Sequence, residues 1–214
     1  MKKVNVVGLG TGNIDYLTMA GIKCIQSADI IVGAERHIED ISSLLKENQK
    51  KYILKKISDT RDFILNNKEK EITVIVSGDT GFYSLLNYLK KNLPEISFNT
   101  VPGISSFQYL FAKLGETWEN YNLYSVHGRE LNIPEVFKNS RAGVVLLTDK
   151  ENSPYIIGRI LMKNNFPDAK LICGERLSYS DERITEFYAR DYEKHNREYE
   201  MNVLIIKKEK YWDI

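Results

Sequence analysis

The sequence is poor in cysteine and has no long apolar run. Its 214 residues include two cysteines, Cys24 and Cys173, in short apolar segments that are typical of the buried core. They provide neither a disulfide framework nor the spacing of a zinc site, so we expect a reducing cytoplasm and no protein-bound metal. No apolar stretch reaches the roughly 18 residues of a membrane-spanning helix, and the N-terminus lacks the apolar core of a secretory signal. We therefore expect no membrane association.

An excess of charge of either sign is also missing. Lysine and arginine together number 30 and the acidic residues 29, which leaves a formal net charge of +1 at pH 7. Nucleic-acid binding depends on clustered basic residues, so this balance gives no reason to expect a nucleic-acid partner. The segments KENQKK and NNKEKE are charge-rich but short, and we interpret them as solvated helix ends and loops.

Short apolar runs alternate with helix-like segments in the first half of the chain. The clearest strand is ITVIVS, which is uninterrupted and rich in β-branched residues. Buried parallel strands have this continuous apolar character, so the alternation predicts a mostly parallel sheet with helices on both faces. The predicted strands are Val4–Val7, Asp29–Val32, Ile53–Ile57, Ile72–Ser77 and Ser97–Val101, and the predicted helices are 15–27, Glu35–Asn48, 58–67 and Tyr83–Asn92.

The second half is less regular. No helical pattern separates its last two predicted strands, which favours antiparallel pairing there. We therefore predict an α/β chain whose N-terminal domain, 1–114, has a mostly parallel sheet and whose C-terminal domain, 115–214, has a mixed sheet. The predicted elements are a helix at 154–164 and strands at Leu123–Val126, Gly143–Thr148, Ala169–Cys173, Ile184–Ala189 and Asn202–Lys207.

The stretch VVGLGTGN links the first strand to the first helix. A dinucleotide-binding turn has the pattern G-x-G-x-x-G, whereas the matching positions here are Gly8, Gly10 and Asn13. The acidic residue that would hold a ribose is also misplaced, because Asp29 begins the second strand and Glu35 begins the following helix. A nicotinamide or flavin site is therefore poorly supported, and a structural tight turn is the main alternative.

Three further glycine-containing turns follow predicted strands. They are SGDTGFY at 77–83, VPGISS at 101–106 and SVHGRE at 125–130. Asp79 offers a carboxylate, and Ser105 and Ser106 offer hydroxyl groups at the start of a helix. Each alone is explained by a turn or a helix cap. Together, four such turns favour a ligand cleft, because ligands of parallel sheets bind at the carboxyl ends of the strands.

These turns resemble the motifs of the tetrapyrrole methylase family, the S-adenosylmethionine-dependent methyltransferases of corrin and sirohaem synthesis. The family's G-x-G-P-G-D motif matches 8–13, with departures at Thr11 and Asn13. Its G-D-P motif matches 78–80 without the proline, and its P-G-[IV]-[ST]-[SA] motif is met in full by Pro102–Ser106. Order and spacing agree along nearly the whole chain.

One branch of the family is similar in further segments, namely the branch that methylates C5 of precorrin-7 or cobalt-precorrin-7. Some of its members carry a second unit that methylates C15 and decarboxylates, so the resemblance implies a separate enzyme for that step here. It also implies a homodimer and a small-molecule tetrapyrrole substrate. Cobalt, if the substrate carries it, would arrive with the substrate, because the three histidines and two cysteines form no metal-site spacing. The matching segments are Ser125–Arg129, Leu147–Asp149, Gly174–Leu177 and Asp181–Ile184.

The resemblance also implies which residues bind the methyl donor. Family members have two domains with the active cleft between them, and they bind S-adenosylmethionine folded in that cleft. The donor carries no phosphate, so the third glycine of a dinucleotide loop is not needed. The implied donor-binding residues are Gly78, Asp79, Phe82, Ser105, Ser106, Leu147 and Thr148.

The acceptor of the family is a polycarboxylate, so its binding residues are expected to include cations. We expect His127 and Arg129 to be catalytic. The implied substrate-binding residues are Gly10 and Thr11, and the weaker cationic candidates are Arg36, Arg176, Arg183 and His37. Simpler interpretations are a solvated helix face for Arg36 and His37, an ion pair with Glu182 or Asp181 for Arg183, and a turn or core position for His127.

Other functions remain open from the sequence alone. The same fold methylates other corrin intermediates, ribosomal RNA or a modified histidine in a protein. An oxidoreductase that binds nicotinamide and a regulatory nucleotide-binding domain are alternatives of a different class. No residue is identified as a general base.

Overall fold

The computed structural model describes residues 4–209, which divide between Ser105 and Ser106 into two units. The predicted boundary lay later, after Leu114. The difference is one helix, Ser106–Leu114, which falls in the second unit. Its Leu110 is fully buried beside Gly174 of that unit, and this packing explains the assignment.

The first unit is built on a five-stranded sheet in which every neighbouring pair is parallel. The order of its strands is β3-β2-β4-β1-β5. The strands are β1 (Val4–Gly8), β2 (Ile30–Gly33), β3 (Lys50–Ile53), β4 (Ile72–Val76) and β5 (Phe98–Val101), and the helices are α1 (Met19–Ser27), α2 (Glu35–Asp40), α3 (Asp59–Asn66) and α4 (Leu86–Asn92), with 3₁₀ turns at Ile14–Tyr16 and Ser42–Leu44.

Both faces of this sheet are buried, as the continuous apolar strands predict. Ile72, Val74 and Val76 of β4 belong to one hydrophobic cluster, which also contains Leu89 of α4. Ile75 belongs to a second cluster with Ile25 of α1. Successive residues of a strand point to opposite faces, so the sheet separates two cores. The expected parallel α/β architecture is confirmed.

Four predicted elements of this unit differ from the structure by more than two residues at one end. The predicted helix 15–27 begins instead at Met19, after a separate 3₁₀ turn at Ile14–Tyr16. The predicted strand Ile53–Ile57 is instead β3, whose lysines are tolerated because it lies at the sheet edge. The predicted helix Glu35–Asn48 ends at Asp40, where the two serines that follow favour a 3₁₀ turn. Helix α4 begins at Leu86 and not at Tyr83, because Tyr83 has a left-handed φ of 50°.

The second unit has a mixed five-stranded sheet in the order β6-β7-β10-β8-β9. Only the pair of β6 and β7 is parallel, and both late strands pair antiparallel with β8. The mixed sheet and the antiparallel pairing of the tail are therefore confirmed. The strands are β6 (Tyr121–Ser125), β7 (Gly143–Leu147), β8 (Lys170–Glu175), β9 (Arg183–Tyr188) and β10 (Asn202–Lys207), and the helices are α5 (Ser106–Leu114), α6 (Ile133–Asn139) and α7 (Pro154–Lys163), with a 3₁₀ segment at Ala189–His195.

Helix α6 was not predicted, although the sequence contains a start signal for it. The Asn132 side chain accepts a hydrogen bond from the backbone N–H of Glu135 and donates one to the Glu135 carboxylate. Pro134 lies in the first turn. A polar cap followed three residues later by glutamate is a helix signature that this short segment satisfies.

No helix within residues 4–209 is long and apolar enough to cross a membrane.

Candidate functional site

Four glycines bring three backbone loops into contact at the carboxyl edge of the first sheet. A Cβ atom on Gly8 would lie 2.6 Å from both the Gly103 nitrogen and the Gly78 oxygen. Gly10 and Gly78 exchange two backbone hydrogen bonds, from Gly10 N to Gly78 O at 3.1 Å and from Gly78 N to Gly10 O at 2.9 Å. Gly8 and Gly103 are required because a side chain there would force the loops apart, and Gly10 and Gly78 are required because both have a positive φ.

The first loop continues into Thr11, a buried residue at the position where the family pattern has proline. Gly10 has a positive φ of 74°, which turns the chain at this point. The Thr11 hydroxyl has no hydrogen-bond partner among the described residues. A buried unpaired hydroxyl costs about 1–3 kcal/mol, so a ligand or water that bonds to it would be favoured.

Asp79 connects the second loop to the third. Its Oδ1 accepts a hydrogen bond from Gly81 N at 2.7 Å, and its Oδ2 accepts one from Gly103 N at 3.4 Å. Ser105 is buried, and its Cα lies close to Gly78. Phe82 is half-buried and packs edge-on against Tyr83, with ring centroids 4.9 Å apart. The predicted donor-binding residues of this unit therefore lie together, and the Asp79 carboxylate fixes two of their loops.

Arg36, His37 and Ser77 form a polar cluster where β2 and β4 end. Arg36 Nη2 lies 3.0 Å from Ser77 Oγ and 3.2 Å from His37 Nε2, and Ser77 Oγ lies 2.7 Å from the same nitrogen. Burial and the neighbouring Arg36 charge lower the pKa of His37 from 6.5 to about 4. The imidazole is therefore neutral at pH 7. Because an arginine nitrogen can only donate, the Nε2 that faces Arg36 Nη2 is the acceptor of that contact. The simpler interpretation of both residues as part of a solvated helix face fits Arg36, which is half-exposed, but not His37, which is buried.

His127 follows β6 at the edge of the second sheet where β6 and β7 both end. Its Nδ1 lies 3.5 Å from the Thr148 carbonyl oxygen, and its ring is exposed. The loop is held by Asp149, which accepts hydrogen bonds from Gly128 N at 2.8 Å and Asn152 N at 2.7 Å. Burial alone would raise the pKa of Asp149, but these hydrogen bonds and His127 hold it below its usual value. This role of Asp149 in holding the loop was not predicted from the sequence.

Leu147 and Thr148 lie at the same edge as His127. Thr148 is buried, and its hydroxyl donates to the Asn202 backbone oxygen at 3.0 Å and also contacts the Asn202 side chain. Leu147 ends β7 and is half-buried. Arg129, the other predicted catalytic residue, is exposed in the loop after His127. The register of β7, β10 and β8 continues this edge to Glu175 and Arg183.

Arg176 and Arg183 also reach this edge, but both lie in ion pairs. Arg183 binds the buried carboxylate of Glu175 through two nitrogens, at 3.2 and 3.1 Å. Arg197, which the sequence analysis missed, binds both oxygens of the same carboxylate. Arg176 pairs with Asp181. The interpretation of Arg183 as an ion-paired residue is thus met, but its partner is Glu175 and not Glu182 or Asp181.

Two groups of predicted residues are therefore assembled, one on each sheet edge. Ser106 begins α5 in the second unit and lies next in sequence to the first group. Within residues 4–209, no group of three or more histidine, cysteine, aspartate or glutamate side chains is arranged to hold a metal ion. The absence of a protein-bound metal remains a prediction.

Comparison with known proteins shows which family the chain belongs to. The family of Tetrapyrrole (Corrin/Porphyrin) Methylases matches residues 3–191, which is most of the chain. The chain is a tetrapyrrole methylase. This membership makes it a methyltransferase and replaces the dinucleotide interpretation of the opening loop. The methylase motifs at residues 8–13, 78–80 and 102–106 are the same segments that meet through glycine at the first sheet edge.

Relatives of the methylase include proteins of corrin synthesis. A probable cobalt-precorrin-7 C(5)-methyltransferase from Methanocaldococcus jannaschii is 32% identical over 190 residues, 85% of this chain and 87% of that protein. A decarboxylating precorrin-6Y C(5,15)-methyltransferase from a Sinorhizobium species is 25% identical over 182 residues, 85% of this chain and 44% of that protein.

A solved structure has the same fold as the methylase. It is uroporphyrin-III C-methyltransferase from Thermus thermophilus in complex with S-adenosylhomocysteine, with a TM-score of 0.77 and 17% identity. The similarity covers 96% of this chain and 97% of that chain. Agreement over nearly the full length of both chains supports the two-sheet architecture described above.

Proposed function

We propose that this methylase transfers a methyl group from S-adenosylmethionine to C5 of precorrin-7 or cobalt-precorrin-7 in cobalamin biosynthesis. The observation that carries the proposal is the 32% identity to the Methanocaldococcus enzyme over most of both proteins. The motifs shared with the C5-methylating branch lie at the second sheet edge, around His127, Asp149 and Glu175. The second edge therefore carries the motifs that resemble the C5-methylating branch, whereas the glycine-rich edge of the first sheet carries the motifs that resemble the family.

The glycine-rich edge suits a methyl donor that is recognised through backbone groups. Close packing at Gly8 and Gly103 leaves no room for a side chain between the loops, so backbone lies directly against backbone there. The T. thermophilus neighbour binds S-adenosylhomocysteine, the product of such a donor. When bound, S-adenosylmethionine supplies an electrophilic methyl group. We assign Gly78, Asp79, Phe82, Ser105 and Ser106 to its binding, with Leu147 and Thr148 of the second unit.

The acceptor is a reduced tetrapyrrole with many carboxylate groups, so cations position it. Arg129 is exposed in the loop that Asp149 fixes, and Arg36 presents Nη2 beside Ser77. Arg36 also has a carboxylate partner, but Asp40 binds its Nη1 and Nη2 lies beside Ser77. Arg183 is a weaker choice because its Nε and Nη2 both bind Glu175, and Arg176 is weaker because its Nε binds Asp181. In this proposal Gly10 and Thr11 form the uncharged part of the protein surface that contacts the acceptor.

Methyl transfer to carbon needs positioning more than a protein nucleophile. Holding the two reactants in line lowers the barrier by removing translational and rotational freedom in advance. His127 and Arg129 lie on one turn, whose position is fixed because Gly128 N donates a hydrogen bond to Asp149. We assign them to orienting the acceptor ring and its acidic side chains. Replacing hydrogen at C5 by methyl releases one proton to solvent or a nearby base.

The wider setting is part of the same proposal, and one relative supports part of it. This chain matches 44% of the Sinorhizobium protein, whose name combines C5 and C15 methylation with decarboxylation. We propose that a separate enzyme performs the C15 methylation and decarboxylation in this case. We also propose a cytoplasmic homodimer that takes cobalt, where present, as part of its substrate.

Incubation of the enzyme with labelled S-adenosylmethionine and enzymatically prepared cobalt-precorrin-7 or precorrin-7 tests the activity. We expect one methyl group to be incorporated at C5, measured by mass spectrometry and NMR. Absence of product with both acceptors would overturn the proposal. A screen of other corrin intermediates would then identify a different acceptor.

Arg129→Ala is expected to raise the KM for the acceptor by about tenfold, because a charge-assisted hydrogen bond is lost. The Kd of S-adenosylhomocysteine, measured by calorimetry, is expected to stay within about twofold of wild type. Arg141→Ala is the matched control, since Arg141 is an exposed arginine just before β7, at the opposite edge of the same sheet. Equal losses in acceptor and donor binding would show that Arg129 has a structural role.

A further inference from the structure

The cluster of Arg36, His37 and Ser77 has the composition of an anion site. Its three polar groups converge within 3.2 Å of one another at the ends of the neighbouring strands β2 and β4. Arg36 is held from the other side, because its Nη1 donates to Asp40 at 3.1 Å. The guanidinium is therefore fixed in orientation while Nη2 points at Ser77 and His37.

Burial is the main cause of the low pKa of the His37 ring, and the neighbouring charge that adds to it is positive. It comes from Arg36, whose guanidinium binds Asp40 through the terminal nitrogen opposite the one beside His37. His37 is 9% exposed, whereas Ser77 is exposed and the Arg36 side chain is 36% exposed. An incoming group can thus reach the guanidinium and the hydroxyl from solvent, with the imidazole directly behind them.

A carboxylate fits this arrangement better than a neutral group. It would accept hydrogen bonds from Arg36 Nη2 and from the Ser77 hydroxyl, which are strong when the acceptor is charged. It would also offset the positive charge that disfavours protonation of His37. The imidazole would then become a third donor in place of an acceptor.

Resting on the proposed function, we propose that Arg36, Ser77 and His37 form a subsite for one carboxylate of the tetrapyrrole acceptor, and that His37 takes up a proton when this carboxylate binds. The proton comes from solvent and forms the Nε2–H bond, and no other bond is made or broken. The amino-acid carboxylate of the methyl donor has the same chemistry and is the alternative source.

Nitrogen NMR of the full-length ¹⁵N-labelled protein tests the proposal without turnover. The chain has three histidines, and His37→Gln identifies the resonances of His37. Cobyrinic acid is a stable corrin polycarboxylate that stands in for the acceptor. S-adenosylhomocysteine is added in a separate experiment and stands in for the methyl donor. We expect cobyrinic acid to shift the His37 ring nitrogens toward the imidazolium values near pH 6, and S-adenosylhomocysteine to leave them unchanged.

Three results would overturn the subsite. They are failure of cobyrinic acid to bind, binding with no change at His37, and a change at His37 caused by S-adenosylhomocysteine. The NMR result is independent of methyl transfer, so an inactive wild-type enzyme would reject the proposed function without deciding the subsite.

Kinetics of the active enzyme provide a second readout. Ser77→Ala and His37→Gln should each raise the KM for the acceptor by about five- to tenfold with little change in kcat. In wild type this KM should fall as pH decreases toward 6, because binding raises the pKa of His37, and His37→Gln should remove that dependence. Ser27→Ala, at an exposed serine bonded to Glu71 at the opposite sheet edge, should leave KM unchanged. A pH dependence that persists in His37→Gln would contradict proton uptake at this residue.

Discussion

The glycine-rich edge of the first sheet and the edge of the second sheet that carries His127 and Glu175 are held together by different physical means. In the first sheet, backbone lies against backbone, and Gly8, Gly78 and Gly103 exclude side chains from the contact. In the second sheet, side chains hold the edge, above all the buried Glu175 between Arg183 and Arg197. Steric contact between backbones permits no substitution, whereas an ion pair tolerates changes that keep charge and reach. The first edge should therefore be the more sensitive to mutation.

The largest effect is expected from Gly103→Ala. Its new Cβ would overlap the backbone oxygens of Gly78 and Gly8, and neither oxygen belongs to a flexible side chain. We expect a loss of about 3 kcal/mol or more in unfolding free energy, measured by urea denaturation. Gly128→Ala is the control from the second edge, since its φ of 62° is also positive but no atom lies within 4 Å of the added Cβ. It should cost about 1 kcal/mol from backbone strain, and equal losses in the two variants would contradict the comparison.

An intermediate effect is expected from Arg197→Met. Glu175 would remain buried with one arginine, Arg183, whose side chain is 56% exposed and screened by solvent. We expect a loss of about 1–3 kcal/mol at pH 7, and a smaller loss for Arg183→Met.

The pH dependence of this loss follows from the carboxylate. Burial alone would raise the pKa of Glu175, but hydrogen bonds from Arg197 and Arg183 outweigh it and hold that pKa below its usual value. The stabilisation is therefore present above the usual carboxyl range and disappears as pH falls through the folded-state pKa. Thermal unfolding should show wild type and Arg197→Met converging toward acid pH. A constant difference across that range would show that the arginine acts through packing and not through charge.

The smallest effect on stability is expected from removing two buried hydroxyl groups. Thr11 and Thr60 each have an unpartnered Oγ1 among the described residues, and valine has nearly the same shape as threonine. Both Thr11→Val and Thr60→Val should be neutral or stabilising by up to about 1 kcal/mol in thermal unfolding. Only Thr11→Val should raise the acceptor KM, by about threefold, because Thr11 lies at the glycine edge and Thr60 lies in α3. An unchanged KM in Thr11→Val would remove this hydroxyl from the acceptor surface.

The contrast between the edges also explains what could be predicted from the sequence. Gly78, Gly103 and Asp79 were assigned to one ligand edge because parallel strands end together, and the structure places their loops in contact. The apolar runs likewise predicted the buried strands of the first sheet. Strand β3 was misplaced because its lysines give an edge strand no apolar signal.

The second edge was less predictable because its contacts depend on strand register. Glu175 and Arg183 are partners across the β8–β9 pair, which a sequence pattern cannot specify. Arg197 reaches the same carboxylate from the segment before β10, and nothing in the surrounding run EKHNRE distinguishes it from a surface residue. Asn132 and Glu135 match the sequence pattern of a helix start, so helix α6 could have been predicted.

The reciprocal hydrogen bonds of Gly10 and Gly78 form a single antiparallel bridge at the end of an otherwise parallel sheet. Parallel strands are separated by long crossovers, so loops at their ends ordinarily move independently. Here the bridge fastens the first loop to the second, and Asp79 fastens the second to the third. The three family motifs, far apart in sequence, are therefore joined to one another by the hydrogen bonds of two glycines, by close backbone contact and by the carboxylate of one aspartate.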